Sequence, residues 1–399
     1  MIRNKFLKTT LSLLMAGVLL IGATGCAKQE PVQKQSSTKV KKEESKEDKA
    51  KKDLYKDVKI GVVNIGASTD KAGYTFAHIN GIKGMMSSLG IKDDQIMYKD
   101  NIPDGQADLA KIKAAIQECI DAKCNIIFGT SYGFKEAMAE LAELYPEIYF
   151  SHCSGELSNS KNFNRYFGKI YQPFYLAGIA AGLKTQTNKI GFVSAWGTTV
   201  SESAYCINAF AMGVASVNKN AKVYSYKINS WGDEKLETEA ATYLVKNKAD
   251  VIAQDTDSKA PQLIAEKNNV WSIGYNSDMS KDAPKATLLS VVWNWSSYYT
   301  YAVKSMVDKS WTAPNYFGGM KEGLIGITEL ADFNADGAQE KIDDATKKFT
   351  SGSWDVFTGV IPTNKKTTVG TEGKAMDDDT VQFKTNWLYQ NVVEVGPNK

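Results

Sequence analysis

The sequence predicts an α/β protein whose folded part forms two doubly wound lobes of similar design. Short apolar runs rich in β-branched residues alternate with longer segments that read as helices, an order typical of parallel sheets with right-handed crossovers. This series begins a second time after Tyr171. The roughly 340 residues that follow the N-terminal segments also exceed the size at which a single hydrophobic core usually keeps growing. Two lobes of this kind enclose a cleft.

The N-terminus is predicted to be a lipoprotein signal sequence over residues 1–25. Arg3, Lys5 and Lys8 are followed by an apolar run that is too short to span a bilayer. The run ends in ATGC, which resembles the lipobox of lipoproteins, although alanine stands where leucine is usual. We therefore expect a mature chain that begins at a lipidated Cys26 on the extracytoplasmic face of the cell membrane. An ordinary signal peptide with an incidental cysteine is the alternative.

Residues 26–57 are predicted to be the lipidated cysteine and a disordered tether. The segment consists mainly of Lys, Glu, Ser and Gln and has no aromatic residue before Tyr55, so it cannot bury enough apolar surface to fold. Its mixed charges favour a solvated spacer over a segment that binds the membrane surface.

Charge and cysteine content exclude several classes of function. The chain has 48 basic and 45 acidic residues, and removal of the signal sequence takes away three basic ones, so nothing indicates binding to nucleic acid. Cysteines 119, 124, 153 and 206 have no metal-ligand spacing, and we predict no metal and no cofactor. Cys119 and Cys124 are five apart in an apparent helix, which places them on different faces, and we expect buried free thiols.

The first lobe is predicted to contain four strands and three helices. The strands are expected at 58–65, 96–98, 125–129 and 148–150, and the helices at 74–89, 106–122 and 135–144. Its bounds are predicted as 58–168 plus 276–320.

The second lobe is predicted over 169–275 plus 321–390 and repeats this design. Helices are expected at 171–185, 201–216, 234–247 and 258–268, and strands at 189–194, 222–228, 250–253 and 271–274. A strand at 287–292 and a helix at 296–309 follow, and crossing segments join the lobes.

Seven segments together resemble one family. From residue 58 to 362 the chain is similar to the basic membrane protein family of ABC-transporter substrate-binding lipoproteins, which bind purine nucleosides or related compounds, and most of all to a subgroup associated with adenine or another free purine. The matching segments are DKAGYTFAH (70–78), GTSYGF (129–134), INSWGDE (228–234), QDTDSKA (254–260), GYNSDMS (274–280), VVWNW (291–295) and DVFTGVI (355–361).

The resemblance implies a type I periplasmic-binding-protein fold that closes on a small ligand. It implies capture of a purine, most of all adenine or a related free base, by a monomer that delivers it to ABC permease and ATPase subunits. Almost every matching segment lies at or just after the carboxyl end of a strand, where ligands bind in open α/β sheets. A nucleoside-binding member of the same family, a ligand-sensing receptor lobe and a sugar-binding protein remain alternatives.

Aromatic residues on these loops are the first ligand-binding candidates, because a purine needs flat faces above and below its ring. Trp231 lies in a polar loop beside Asn229, and the resemblance places a stacking aromatic there. Tyr74 matches the aromatic of the family's D-K-x-F-N signature, with Thr75 in place of the asparagine, and could face Trp231 across the base. Packing of Tyr74 on its own lobe is the alternative.

Three further aromatic residues follow predicted strands. Trp196 lies just beyond the strand at 189–194. Tyr132 and Phe134 follow the strand at 125–129 and are expected at the floor of the pocket, with hinge or core packing as an equal alternative.

Three aspartates are candidates for the polar edge of the ligand. Asp255 and Asp257 follow one predicted strand, and Asp278 follows the next. A carboxylate can accept from an exocyclic amine or a ring N–H, which favours adenine over hypoxanthine. For Asp257 a helix cap is the alternative. Asp278 matches the second acid of the family's G-V-D-S-D signature, in which Asn276 replaces the first.

Trp293 marks a departure from the nucleoside-binding relatives. These relatives carry a lysine at the matching position, which is understood to contact the ribose. Tryptophan cannot provide an ammonium's hydrogen bonds, so we hypothesise that the ribose pocket is filled and that the ligand is a base alone.

An enzyme is not predicted. The chain has only two histidines, His78 and His152, without a neighbouring Cys or His at ligand spacing, and it has no G-x-S-x-G elbow and no P-loop. A metal-dependent nucleoside hydrolase that uses the three aspartates is therefore rejected. Sugar sites usually contain several Arg, Asn and Asp residues, but Arg165 is the one arginine of the predicted folded part.

Overall fold

The computed structural model describes residues 53–397. The predicted signal sequence, Cys26 and most of the predicted tether lie outside the described residues. Among residues 53–397, no helix combines the length and the apolar character that a membrane span needs.

Two main sheets organise the described chain. The first sheet is parallel throughout and has the strand order β11-β5-β4-β3-β1-β2. Its strands are β1 (Ile60–Val63), β2 (Ile96–Lys99), β3 (Ile126–Gly129), β4 (Tyr149–Cys153), β5 (Phe163–Gly168) and β11 (Tyr316–Gly318).

The second sheet has the order β12-β10-β9-β8-β6-β7-β15, and only the pairing of β12 with β10 is antiparallel. Its strands are β6 (Lys189–Ser194), β7 (Lys222–Lys227), β8 (Val251–Gln254), β9 (Trp271–Asn276), β10 (Thr287–Trp293), β12 (Ile325–Ile327) and β15 (Val392–Val395). A small hairpin consists of β13 (Ile361–Pro362) and β14 (Thr368–Val369).

Helices connect and flank the strands. They are α1 (Gly73–Leu89), α2 (Leu109–Asp121), α3 (Lys135–Leu144), α4 (Tyr171–Lys184), α5 (Ser201–Val217), α6 (Glu234–Lys246), α7 (Ala260–Lys267), α8 (Trp295–Val307), α9 (Ala338–Ser351) and α10 (Asp378–Lys384). The predicted α/β architecture of two parallel-sheet lobes is confirmed.

Strand β1 shows why the sequence forms this kind of sheet. Its four residues, IGVV, are all buried, as expected for a central parallel strand that is covered on both faces. Helix α1 follows and ends at Gly90, whose φ of 73° is left-handed and whose N–H donates to the Met86 carbonyl.

Close approach of two helices organises the second lobe. Helix α4 contains the segment LAGIAAG, whose small residues permit tight packing. A β-carbon at Gly178 of α4 would lie 2.1 Å from the Phe210 carbonyl oxygen of α5. A β-carbon at Gly213 of α5 would likewise lie 2.1 Å from the Tyr175 carbonyl oxygen. Any side chain at either glycine would push these helices apart.

Three segments cross between the two sheets: those joining β5 to α4, β10 to α8 and β11 to β12. The position of the segment that joins β10 to α8 shows that the predicted lobe bounds are wrong. The sequence placed 276–320 in the first lobe, but Thr287–Trp293 forms β10 and pairs with β9 and β12 in the second sheet. The two strands approach closely, because a β-carbon at Gly274 would lie 2.3 Å from Ser290 Oγ.

Strand β5 is an element that the sequence pattern did not reveal. Asn164 and Arg165 interrupt its apolar run, so FNRYFG lacks the signal of a buried strand. The structure compensates for burying Asn164, whose Nδ2 donates to the Tyr298 hydroxyl at 3.0 Å and to the Pro314 carbonyl at 2.8 Å. Both partners come from the later part of the chain, which the pattern of β5 itself cannot show.

The expectation that Cys119 and Cys124 lie on different faces of one helix is wrong. Helix α2 ends at Asp121, and Lys123 adopts a left-handed φ of 66°. The Cys124 N–H then donates to the Cys119 carbonyl at 3.1 Å, the closure of a Schellman turn, which brings these two positions together. All four cysteines of the described chain are buried free thiols.

Candidate ligand-binding cleft

The carboxyl ends of β6, β8 and β9 in the second sheet face the N-terminus of α1 in the first lobe. The two lobes approach closely here, because a β-carbon at Gly73 would lie 3.7 Å from Asp257 Cβ. Gly73 has a left-handed φ of 79°. The loop after β8 therefore contacts the N-terminus of α1 across the interface between the two lobes.

Trp231 lies in a loop that the backbone holds firmly. Asn229 begins the loop with a left-handed φ of 57°, and the Asp233 carboxylate ends it by capping α6 through the N–H groups of Lys235 and Leu236. The Trp231 carbonyl accepts from the Asp257 N–H at 2.8 Å. The indole is half-buried, and no aromatic ring of residues 53–397 stacks on it. The Asn229 side chain is exposed, and stacking of a ligand on Trp231 stays a prediction.

Asp257 is a residue of the cleft rather than a helix cap. Its Oδ1 accepts from Asn276 Nδ2 at 2.6 Å, and the N-terminus of α7 has no side-chain cap. Gly232 lies beside it, with its β-carbon position 3.6 Å from Asp257 Oδ2. Burial raises the pKa of the Asp257 carboxyl to about 7, and the charge of Glu237 acts in the same direction.

Asp255 is 1% exposed and is only partly satisfied by the protein. Its Oδ1 accepts from the Ala195 N–H at 2.7 Å, while its Oδ2 is buried without a hydrogen-bond partner. Burial raises the pKa of this carboxyl to about 6. Trp196, the neighbour of Ala195, is half-buried, and its indole N–H is also without a partner. The loops after β6 and β8 thus each contain a buried polar atom with no hydrogen-bond partner among residues 53–397.

Glu202 is an acid with a raised pKa that the sequence analysis did not single out. It lies in the first turn of α5 and is half-buried. Burial and the charges of Asp255 and Asp257 raise the pKa of its carboxyl to about 8. Acidic residues are common in the first turn of a helix, because they interact favourably with the helix dipole. The sequence therefore does not distinguish Glu202 from an ordinary first-turn acid.

Tyr74 packs on its own lobe, which was the alternative to stacking. Its hydroxyl donates to the Thr130 carbonyl at 2.6 Å and contacts Cys153 Sγ at 3.3 Å. Its ring packs edge-on against His78 at 4.5 Å between centroids. Thr75 is buried and accepts from the Gly66 N–H at 3.2 Å, so it holds the loop between β1 and α1.

Tyr132 and Phe134 occupy different environments. Tyr132 is 52% exposed, and the Lys135 ammonium lies 3.6 Å from the centre of its ring. Phe134 is fully buried in the core of the first lobe, where it packs with residues such as Met138. The core-packing alternative therefore describes Phe134, and it does not face the cleft as a pocket floor.

Asp278, the acid that best matches the family signature, lies at the surface. Its side chain is exposed, and its Oδ1 accepts from the Ser280 N–H at 2.9 Å, which closes its own turn. Its exposure contrasts with that of Asp255, which is 1% exposed.

Trp293 forms part of an aromatic stack at a crossing between the lobes. It is 8% exposed, and its ring stacks on Trp295 at 4.4 Å with an interplanar angle of 7°. Trp295 in turn stacks on His78 at 4.3 Å. The Trp293 indole N–H is buried without a partner.

Two parallel-sheet lobes, three crossing segments and a cleft at the strand ends define a solute-binding protein with the type I periplasmic-binding-protein fold. Residues 58–356 match the Bmp family, which is described as ABC transporter substrate-binding protein PnrA-like. The chain belongs to this family, and the predicted membership is confirmed.

Individual relatives extend this result. The chain is 29% identical to a purine-binding protein of Brucella abortus over 324 residues, which are 81% of this chain and 90% of that protein. It is 34% identical over 235 residues to TsgA13 of Haloferax volcanii, an ABC transporter glucose-binding protein by name, and this match spans 59% of each chain. A solute-binding protein structure from Conexibacter woesei has a TM-score of 0.62 at 17% identity, covering 75% of this chain and 98% of that one, and shares the fold.

The family and the fold are those of substrate-binding proteins, which are not enzymes. Both histidines are fully buried, and burial lowers the pKa of His78 to about 3 and that of His152 to about 4. Within residues 53–397, no three Cys, His, Asp or Glu side chains group as metal ligands.

Proposed function

We propose that this protein captures a purine, adenine or a related free base, between its lobes and delivers it to the permease and ATPase of an ABC importer. The observation that carries the proposal is the meeting of half-buried Trp231 with Asp257, whose N–H donates to the Trp231 carbonyl at 2.8 Å, next to the buried carboxyl of Asp255 after β8. A flat aromatic face supplies stacking, and the polar side chains select the edge of a nitrogen heterocycle. The purine-binding relative supports the same class of ligand.

The case for a free base rests on Trp293. It stands where nucleoside-binding relatives carry a lysine, and its ring fills the crossing between β10 and α8 by stacking on Trp295. A sugar would need space at this position, which the stacked rings of Trp293 and Trp295 occupy, whereas a base alone would not.

The affinities for adenine and adenosine test this proposal. We expect adenine to bind at least tenfold more tightly in equilibrium titration calorimetry, because ribose would have to displace packed rings; a tenfold ratio corresponds to about 1.4 kcal/mol. Glucose belongs in the same series, since one relative is a glucose-binding protein by name. Adenosine binding tighter than adenine would refute the free-base assignment, and binding of glucose without any purine would refute the purine assignment.

Lipid anchoring at Cys26 is the second part of the proposal. The lipid and the tether would keep the protein near its permease and raise its local concentration there. Cys26→Ser should leave the purine affinity of the purified protein unchanged and lower purine uptake by cells. Membrane fractionation checks that the variant is released. If released protein supports normal uptake, the anchoring role is wrong.

A further inference from the structure

Asn276 ends β9 with a side chain that the protein only half satisfies. It is 2% exposed, and its backbone adopts a left-handed φ of 66°. Its Nδ2 donates to Asp257 Oδ1 at 2.6 Å. Its own Oδ1 is buried and has no hydrogen-bond partner among residues 53–397. Buried polar atoms are rarely left without partners in a native protein, so this oxygen indicates a partner from outside the described chain.

The contact with Asp257 places the Asn276 amide beside the cleft. A β-carbon at Gly73 of the first lobe would lie 3.7 Å from Asp257 Cβ, so the aspartate lies where the lobes meet. From the second lobe, a β-carbon at Gly232 would lie 3.6 Å from Asp257 Oδ2. Asn276 thus holds one carboxyl oxygen, and the other lies beside the loop that carries Trp231, the predicted stacking residue.

The backbone and the neighbouring acid explain why asparagine suits position 276. Among residues with a β-carbon, asparagine and aspartate adopt a left-handed φ most readily. An aspartate would place two carboxyl groups in hydrogen-bond contact, and two such groups do not readily ionise together. Asparagine instead supplies a donor that does not titrate, and it keeps one acceptor for another partner.

We propose that Asn276 is a specificity-determining residue, whose Oδ1 accepts the ring N–H of a free purine base while Asp257 Oδ2 accepts from the neighbouring amino group. This inference rests on the proposed function and deepens it. Two hydrogen-bonded side chains that each keep one acceptor suit an edge with two adjacent donors. Adenine offers this edge when its ring proton is on N7, next to the 6-amino group. A purine substituted on N9 has no ring proton, so its N7 is an acceptor and faces Asn276 Oδ1 unfavourably.

Two analogues of adenine test which atom Asn276 contacts. 7-Deazaadenine has the shape of adenine but a C–H group in place of N7, and 9-methyladenine keeps N7 only as an acceptor. We expect both to bind at least about tenfold more weakly than adenine in titration calorimetry, because each leaves a buried acceptor unpaired. The titrations are made at pH 8.5, where the Asp257 carboxyl, whose pKa burial raises to about 7, is ionised.

Asn276→Gly removes the amide without straining the backbone, because glycine also adopts a left-handed φ. It should lower adenine affinity by at least about tenfold and bring the affinity for 7-deazaadenine to within about threefold of that for adenine. A purely structural role would weaken both ligands equally and leave their ratio unchanged.

Asn269→Gly is the matched control. Asn269 has a left-handed φ of 55° and is exposed, and it lies just before β9, at the opposite end of this strand from Asn276. The control variant should bind adenine and both analogues as the unmodified protein does. Circular dichroism confirms that each variant is folded.

The outcomes separate this inference from the proposed function. 7-Deazaadenine that binds within about threefold of adenine would overturn the inference, because N7 would then make no significant contact. Tight binding of 9-methyladenine with weak binding of 7-deazaadenine would also overturn it, since N7 would then be an acceptor and Asn276 its donor. An unchanged ratio of affinities in Asn276→Gly would assign the specificity to another residue. Failure of the unmodified protein to bind any purine would instead refute the proposed function.

Discussion

Replacement of Trp295 by alanine should lower the free energy of unfolding by about 4 kcal/mol, the range expected when a fully buried tryptophan is removed. Trp295 is 0% exposed and lies between the rings of His78 and Trp293. The first helix also packs on it directly, because a β-carbon at Gly81 would lie 2.3 Å from Trp295 Cβ. The cavity would therefore open where α1 meets α8, and neither helix could close it without losing its other contacts.

Urea denaturation followed by circular dichroism measures this effect. Trp231→Ala is the matched control, because it removes the same side chain from a half-buried loop position. We expect it to cost less than about 1.5 kcal/mol of stability and to lower purine affinity markedly. A loss in Trp295→Ala no greater than in this control would show that the aromatic stack is not part of the stabilising core.

Glu202→Gln should make the protein more stable at pH 8.5, by about 3 kcal/mol. The folded state holds the pKa of Glu202 at about 8, against an ordinary value of 4.5 for glutamate. An acid whose pKa is raised by folding binds more protons in the folded state, so its contribution to stability is lost as the pH rises from 4.5 towards 8. Glutamine does not titrate, so the variant does not lose this stability. Because the Glu202 side chain is half-buried, solvent screens its interactions, and we expect about 3 kcal/mol instead of the larger free energy that the whole pKa shift would give.

Urea unfolding curves of Glu202→Gln and of the unmodified protein at pH 4.5, 6.5 and 8.5 give the difference between their free energies of unfolding. We expect the two proteins to differ least at pH 4.5 and most at pH 8.5. Glu147→Gln is the control, because it changes an exposed glutamate in the same way. Its stability should differ from that of the unmodified protein by the same amount at all three pH values. A constant difference across the three pH values would mean that Glu202 has an ordinary pKa in the folded state, which contradicts a raised value of about 8.

Together these two predictions separate structural from functional roles among residues that look alike in sequence. Trp231 and Trp295 both follow polar residues near strand ends, and Glu202 resembles many acids in first helical turns. Burial and partners assign Trp295 to stability, whereas Glu202 costs stability in a way that is typical of binding sites.

Part of the candidate site could be predicted from the sequence, because the signal that marks it lies within short segments of the chain. Asp255, Asp257 and Trp231 directly follow strands of a parallel sheet, and strand ends are recognisable from apolar runs. Phe134 and Asp278 satisfy the same rule but point elsewhere, one into the core and the other to the surface. The rule that ligand-binding residues follow strands therefore identifies candidate loops. It does not show which side chains of a loop enter the cleft.

The sequence by itself determined the α/β class, the two lobes, most strand and helix positions and the family, because these depend on periodicity within short segments and on motifs in fixed order. The tertiary structure decided the placement of β10 in the second sheet, the meeting of Cys119 with Cys124, and the raised pKa of Glu202. Each of these depends on contacts between segments distant in the chain or on a single left-handed residue such as Lys123. Burial among other carboxyls gives Glu202 its raised pKa, and burial is a property that only the folded chain has.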